Sequence, residues 1–278
     1  MKKWIALFVA MMLALTLLAG CSGPGRTDTD DDDQEVSSEV SDTTTEVSDD
    51  VSAEAPVTNG TVSTGNPVVD SYTAFTDAKY VVINRLTDGL GQDENAMMAY
   101  ITIAGVSMAD LALAPIAMMG YDEATVAASM AYLGAQGVIY SVDGNSYTMT
   151  YTGSDGKAMV YNAIFNPAAE SMVMMVSVDG AETVYSEYYK TSFGYVSQSY
   201  FASDDGTGTL YQYSITGEDG VFGYSNASAK PAALTGNEPA SFPQNCDEWY
   251  AVTGNTITGE NSDGAAINFE YTPTPSNG

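Results

Sequence analysis

The spacing of apolar residues changes once along the chain, near Gly137, and divides the sequence into a helical part and a strand part. Before that point, apolar residues recur every three or four positions, which is the spacing of one helix face. Residues 68–90 carry such a stripe, formed by Val68, Tyr72, Phe75, Val82 and Leu86. Lys79 interrupts the stripe, and Asp88 and Gly89 form a stop signal. The pattern therefore predicts a helix over residues 68–90.

Residues 96–119 are uncharged apart from Asp110, which raises the question of a membrane-spanning helix. An acid at its centre would cost a few kcal/mol in a bilayer, and Pro115 would kink it. Ser107 and Asp110 instead match a capping box, in which the acid reaches back to the free amides of a first turn. The pattern favours two short buried helices, with Asp110 starting the second and not serving as a buried catalytic acid. A third helix is predicted over residues 122–134.

After Gly137 the apolar residues alternate with polar ones, which is the pattern of a strand with one buried face. In residues 146–151, the side chains of Tyr147, Met149 and Tyr151 share one face. Similar runs cover residues 157–165, 171–178, 182–190, 193–202, 209–216 and 221–225. The proline-containing residues 226–249 predict a long loop. A last hairpin places Ile267, Phe269 and Tyr271 on one face.

Six Asp-Gly steps lie between or beside these runs, and this dipeptide supplies the positive φ angles of tight hairpin turns. They are Asp143-Gly144, Asp155-Gly156, Asp179-Gly180, Asp205-Gly206, Asp219-Gly220 and Asp263-Gly264. Short turns make consecutive strands antiparallel neighbours. The predicted fold class is α+β, with N-terminal helices packed on a curved antiparallel meander sheet of about eight to ten strands.

The run from Met172 to Val176 is apolar on both faces, which predicts a central strand covered on each side. Helices would cover one side, and the other would be covered by the curvature of the sheet, the C-terminal hairpin or a ligand. Met172 and Met174, with Tyr147 and Tyr151, are the candidate binding residues. Methionine fills irregular apolar sites, and tyrosine stacks on sugars and anchors protein interfaces.

The N-terminus resembles the leader of bacterial lipoproteins. Lys2 and Lys3 precede an apolar run over residues 4–19, and Leu18-Ala19-Gly20-Cys21 matches the lipobox of that family. The resemblance implies a signal peptide over residues 1–20, a diacylglyceryl group on the Cys21 thiol, and anchoring on the extracytoplasmic face of a bacterial cell envelope. The alternative is an ordinary signal peptide that happens to contain a cysteine.

Residues 21–67 are predicted to form a disordered acidic linker, and residues 68–278 a single α+β domain, helical to 136 and mostly strands from 137. Residues 22–67 contain 12 acidic and 15 Ser or Thr residues and no aromatic residue, so they cannot bury enough apolar area to fold. The domain has 24 acidic and five basic residues, a net charge of −19. That charge repels phosphate backbones, so we expect no nucleic-acid partner.

The chain contains no histidine, which excludes Ser-His and Cys-His nucleophile pairs. Cys246 is the only domain cysteine and is expected to be a buried apolar residue or, alternatively, to pair between chains.

Residues 154–157 match S-x-x-K and residues 259–270 partly match a calcium loop, but both fall in predicted hairpins. No metal or cofactor is predicted. Glu182 and Glu187 would face opposite sides of their strand unless a bulge intervenes.

These observations predict a non-catalytic surface module, held to the membrane by its lipid and binding an extracellular protein, glycan or hydrophobic molecule. The first alternative is a carrier of a lipid or other apolar ligand in a curved-sheet cavity, which needs an open apolar space. The second is a glycan-acting enzyme, which needs only two carboxylates facing one cleft.

Overall fold

The computed structural model describes residues 63–274, so the predicted signal peptide, Cys21 and most of the acidic linker lie outside the described residues. The helices and strands of this part confirm an α+β fold whose body is an antiparallel sheet. Its α-helices are α1 (Pro67–Leu90), α2 (Met97–Asp110) and α3 (Glu123–Tyr132). Short 3₁₀ helices cover Glu94–Ala96, Leu111–Met118 and Phe242–Asn245.

Helix α1 begins and ends close to the predicted bounds. The Asn66 side chain accepts a hydrogen bond from the backbone N–H of Val68, and Pro67 occupies the first turn, where its missing N–H costs nothing. The helix ends one residue beyond the predicted stop at Gly89. Lys79, which interrupts the apolar stripe, is only 5% exposed, so the buried side of α1 includes a charge.

The capping-box prediction at Ser107 and Asp110 is wrong. Asp110 ends α2, and its side chain makes no cap hydrogen bond to the 3₁₀ helix that follows. Its Oδ2 atom instead accepts hydrogen bonds from Lys79 Nζ at 2.7 Å and Tyr80 OH at 3.0 Å, both on α1. A contact with residues 30 and 31 positions earlier in the chain therefore replaces the local cap.

The expectation that both short helices are buried holds only in part. Within residues 63–274, Glu94–Met118 is the one helical stretch whose length and mean hydropathy of 1.7 suffice to cross a membrane, and 28% of it is buried. The side chains of Ile103, Val106 and Ile116 belong to the same hydrophobic cluster as residues of the sheet. Other apolar side chains of α2 remain exposed to solvent.

Over residues 63–274 the sheet has eleven strands in sequence order, each antiparallel to its neighbours, where about eight to ten were predicted. They are β1 (Gln136–Asp143), β2 (Ser146–Thr152), β3 (Ala158–Asn166), β4 (Ser171–Val178), β5 (Ala181–Lys190), β6 (Tyr195–Ala202), β7 (Gly208–Thr216), β8 (Asp219–Ala227), β9 (Glu248–Thr253), β10 (Thr256–Glu260) and β11 (Ala266–Glu270). The additional strands include β1 and β9. Neither formed part of a run in the predicted meander.

Five of the six Asp-Gly steps lie at hairpin turns, and one does not. Asp179 and Gly180 both have positive φ, 51° and 83°, as a two-residue type I′ turn requires. Asp219 and Gly220 lie inside β8, because Gly217 makes the turn before it. A Cβ atom on Gly220 would lie 2.7 Å from the carbonyl oxygen of Ser214. This glycine therefore permits a close approach and makes no turn.

One face of the sheet carries most of the core. Tyr147, Met149, Tyr161, Met172, Met174, Tyr188, Tyr213, Phe222 and Tyr250 are buried there, in one cluster with apolar residues of the helices. The ring of Phe75 on α1 stacks on that of Tyr188 on β5, with centroids 4.3 Å apart. The predicted central strand is β4, on which Met172 and Met174 are buried and Val173 is half-buried, so its second face is only partly covered.

Part of the opposite face is covered by residues 228–247, close to the predicted loop. Glu187 on β5 is fully buried there, and its Oε1 atom accepts hydrogen bonds from Gln198 Nε2 at 2.6 Å and from the backbone N–H of Leu234 at 2.8 Å. Gln212 continues the row, donating to Gln198 Oε1 at 3.2 Å and accepting from Cys246 Sγ at 3.1 Å. This buried polar row ties the covering segment to the strands.

Candidate functional site

An open cleft of about 650 Å³ lies between α2 and the strands β8 and β9. Its lining residues come from the helix, from both strands and from the β10–β11 turn: Ile101, Thr102, Gly105, Tyr224, Asn226, Asp247, Glu248 and Ser262. The volume falls in the range of about 300 to 1,000 Å³ that small-molecule sites occupy. We refer to this site as the acidic cleft.

The helix wall of the acidic cleft is small and partly apolar. Ile101 and Gly105 are one helical turn apart, so they share a side of α2, and Thr102 lies beside them. An added Cβ atom on Gly105 would meet no atom within 4 Å. The glycine therefore leaves open space in the cleft and is not required by a close contact.

Glu248 begins β9 and is buried in the wall of the acidic cleft. Its Oε1 atom accepts a hydrogen bond from Thr102 Oγ1 at 3.2 Å, and its Oε2 atom accepts one from Tyr250 OH at 2.7 Å. Burial, followed by the hydrogen bond to Glu248, raises the pKa of Tyr250 well above its usual value. Tyr250 therefore remains a neutral donor that fixes the carboxylate.

Asp247 precedes Glu248 and is exposed at the mouth of the cleft. Its Oδ2 atom accepts a hydrogen bond from the backbone N–H of Asn226 at 3.0 Å, and its own N–H donates to Ser225 Oγ at 2.9 Å. These two contacts hold Asp247 against β8. Tyr224 on β8 also lines the cleft, and its OH donates to Asn226 Oδ1 at 3.2 Å.

The chemistry of the acidic cleft suits hydrogen-bond donors and positive charge. Two carboxylates, an amide, a phenol and hydroxyls line it, and none of the eight described lining residues is Lys or Arg. Within residues 63–274, no group of three or more Cys, Asp or Glu side chains is arranged to hold a metal ion. Carboxylates that line a cleft can pair with ammonium or guanidinium groups through charge-assisted hydrogen bonds.

The sequence-predicted binding residues lie elsewhere. Tyr147, Tyr151, Met172 and Met174 share the core-facing side of β2 and β4, and Tyr151 stacks on Tyr161 with ring centroids 5.8 Å apart. Met172 and Met174 are fully buried, and Tyr147 nearly so. The structure brings the four to one face of the sheet, with Tyr147, Met172 and Met174 inside the hydrophobic cluster and Tyr151 packed against it. Their binding role stays a prediction that would require the core to open.

A bulge places Glu182 and Glu187 on the same face of the sheet, which is the exception that the sequence analysis allowed for. The β4–β5 register shifts between Val176 and Ser177, so a bulge intervenes. Glu182 then lies opposite Ser177 and Glu187 opposite Val173, which puts both acids on one face. Glu182 accepts from Lys230 Nζ at 2.9 Å, so both acids hold the segment 228–247.

The two motif-like stretches are hairpin turns, as predicted. Residues 154–157 lie between β2 and β3, where the backbone N–H of Lys157 donates to Asp155 Oδ1. The loop of the calcium-like stretch joins β10 to β11, with Asp263 Oδ1 accepting from the N–H of Ala265 at 3.0 Å.

Sequence reasoning missed Asp247 and Glu248 because both fell inside the predicted long loop of residues 226–249. One signal was present. The strand pattern puts Glu248 on the same face as Tyr250 and Val252, alternating with Trp249 and Ala251. An acid therefore lies on the buried face at the start of a strand. A buried acid at a strand end needs a hydrogen-bond donor or a ligand.

Scans against protein-family models, the curated proteins and the solved structures returned no significant match to this chain. The geometry and electrostatics of the acidic cleft are therefore what indicates its function.

Proposed function

We propose that this chain is a non-catalytic binding module on the extracytoplasmic face of a bacterial envelope, tethered by lipid at Cys21, and that the acidic cleft receives a positively charged group of its ligand. In this proposal the helices form a layer over the core face of the sheet. The cleft lies at the edge of that layer, where α2 passes β8 and β9.

One observation carries the proposal: Asp247 and Glu248 enter the same cleft, and no basic residue balances them among its described lining residues. Glu248 is held by Thr102 and Tyr250, so its carboxylate is fixed before a ligand arrives. Asp247 is exposed at the mouth of the cleft, and its contacts with Asn226 and Ser225 hold it where it can meet the ligand's charge. A preorganised pair of this kind lowers the entropy cost of binding a cation.

The negative charge of the whole domain also favours the binding of a cationic group. Residues 68–278 carry 24 acids against five bases. Within the described residues, four of those bases already contact acids: Lys79, Arg85, Lys190 and Lys230. The remaining field attracts cationic molecules over a distance of roughly the Debye length, about 8 Å at physiological salt.

The test is calorimetric titration with spermidine, a simple polyvalent ammonium ligand. We expect the double variant Asp247→Asn, Glu248→Gln to bind at least about tenfold more weakly, since each hydrogen bond to a charged group is worth on the order of 1 kcal/mol or more. The double variant Asp143→Asn, Asp155→Asn, beside the turns that flank β2, is the matched control, because it removes two exposed charges at the other end of the sheet. Equal loss in the control would reject the acidic cleft as the site.

The tether has its own test. Cys21→Ala should move the chain from the membrane fraction to the soluble fraction. The variant has no thiol to carry the diacylglyceryl group, whose two acyl chains anchor the protein in the membrane. Cys246→Ala is the control and should leave fractionation unchanged. Sedimentation of Cys21→Ala with membranes would mean that the anchor lies elsewhere.

A second candidate is glycan hydrolysis by the same two carboxylates, favoured by the presence of both acids and of Tyr224 in the lining of one cleft. Release of reducing sugar from envelope polysaccharide, abolished by Glu248→Gln alone, would establish it. The absence of sugar release, together with spermidine binding, would leave the binding module as the better account.

A further inference from the structure

The outward side of α2 is apolar and unusually open. Met97, Ile101 and Met108 are 54, 54 and 49% exposed, and Met98 is 68% exposed. Met97, Ile101 and Met108 are spaced by four and seven residues, so they form one stripe along the helix. We call these four residues the methionine face. Scattered apolar residues on a surface are ordinary, whereas large exposed apolar patches are typical of interaction sites, and these residues are aligned along one side of a helix.

The methionine face and the acidic cleft form one surface. Ile101 belongs to both, since it lines the cleft and is half-exposed in the stripe. Thr102 and Gly105 continue the helix wall into the cleft. A ligand lying along α2 would therefore meet apolar side chains on one flank and the carboxylates of Asp247 and Glu248 on the other.

Charge decides between the possible occupants. The domain carries a net charge of −19 over residues 68–278, by the same count of 24 acids and five bases, so an anionic membrane surface would be repelled. A second copy of the chain would bring the same charge and be repelled as well. A segment with basic residues beside apolar ones is attracted by the field and satisfies both parts of the surface. Unbranched methionines also adapt to apolar partners of different shape.

We propose that the methionine face and the acidic cleft together dock a cationic amphipathic segment of another protein. The apolar side chains of that segment lie on Met97, Ile101 and Met108, and one of its Lys or Arg side chains enters the cleft against Asp247 and Glu248. This inference rests on the proposed function and adds to it the class of partner.

The experiment uses a synthetic amphipathic helix of about 18 Leu and Lys residues and a scrambled peptide of the same composition, titrated against the full chain. We expect the amphipathic peptide to bind at least about tenfold more tightly than the scrambled one. The double variant Met97→Gln, Met108→Gln should weaken it about tenfold and leave spermidine binding unchanged, since it removes apolar burial alone. The double variant Ile139→Thr, Val142→Thr, at two exposed apolar positions of β1, is the matched control and should change neither.

Several results would overturn the inference. Equal binding of the scrambled peptide, or no effect of the double variant, would reduce it to nonspecific charge attraction. Binding to phosphatidylcholine vesicles that the double variant abolishes, with peptide binding unaltered, would assign the methionine face to a membrane. A dimer in solution that the double variant dissolves would assign it to self-association. If spermidine binds and the peptide does not, this inference fails and the proposed function stands; if neither binds, both fail.

Discussion

The inner and outer sides of α2 have similar side chains and opposite surroundings. On the inner side, Ile103 and Val106 are completely buried in the cluster shared with the sheet. On the outer side, Ile101 and Met108 are half-exposed. Apolar composition alone therefore does not determine which side of this helix faces the core. The inner residues and the ion pair from Asp110 to Lys79 hold the helix in position, and the outer residues remain exposed.

The largest effect is expected from breaking that ion pair. Lys79 and Asp110 are 2.7 Å apart with little solvent access, and removing one partner of a buried pair typically costs about 3 to 5 kcal/mol. Lys79→Met should lower the free energy of unfolding in urea by about that amount. The exposed pair of Lys190 with Glu170 is the control, and Lys190→Met should cost less than about 1 kcal/mol. If Lys79→Met and Lys190→Met lower the free energy of unfolding by similar amounts, the ion pair of Lys79 with Asp110 does not hold α2 in position.

Truncating the same residue type on each side of α2 compares the two environments directly. Ile103→Ala should destabilise the fold by about 2 to 5 kcal/mol, because it leaves a cavity in a packed region. Ile101→Ala should cost less than about 1 kcal/mol, because its side chain is already half in water. Denaturation of both variants gives the difference, and an equal cost would contradict the assignment of inner and outer sides.

The buried surroundings also predict a loss of stability at alkaline pH. Burial raises the pKa of Cys246 to about 11. It also raises the pKa values of Tyr188 and Tyr213 above the usual value for tyrosine. The unfolded chain then loses these protons at lower pH than the folded chain does. Stability should be complete below about pH 9 and fall above it, by on the order of 1 kcal/mol at pH 10. Urea denaturation between pH 7 and 10 measures the effect, and a flat profile would contradict it.

The smallest effect on folding concerns oxidation of methionine. Dilute hydrogen peroxide should convert Met97, Met98 and Met108 to sulfoxides before Met172 and Met174, because reactivity follows exposure. Peptide mass spectrometry would give the order, and the urea midpoint should hardly change while only the outer methionines are modified. Early oxidation of Met172 would mean that the core face of β4 is accessible.

Local patterns predicted the elements that depend on local chemistry. The stripe from Val68 to Leu86 gave the bounds of α1 within two residues, because one face of a long helix repeats regularly. Hairpins at Asp143 and Asp179 were readable for the same reason, since their turns need positive φ at residues that tolerate it.

Patterns failed where a distant contact overrides a local preference. Asp110 matched a capping box, but Lys79 and Tyr80, about thirty positions away in the chain, bind its carboxylate more strongly than a free amide would. Gly220 matched a turn, but the strand needs it where Val82 of α1 approaches. Neither partner is visible in a window of a few residues.

The candidate site was hardest to predict because it is assembled from separate elements. Ile101 and Glu248 are far apart in sequence, and they line one cleft only because α2 approaches β9, where Thr102 donates to Glu248. The exposure of the methionine face was equally hidden, since an apolar run predicts burial unless its neighbours are known.

The central claim is that the outer side of α2 and the acidic cleft act as one binding surface. Hydrogen–deuterium exchange of the full chain, with and without the amphipathic Leu/Lys peptide, tests it most directly. Slower exchange is predicted in two places at once, residues 97–108 of α2 and residues 247–252 of β9, with β1 and β2 unchanged. Protection in only one of these segments, or equally across the sheet, would contradict a single surface.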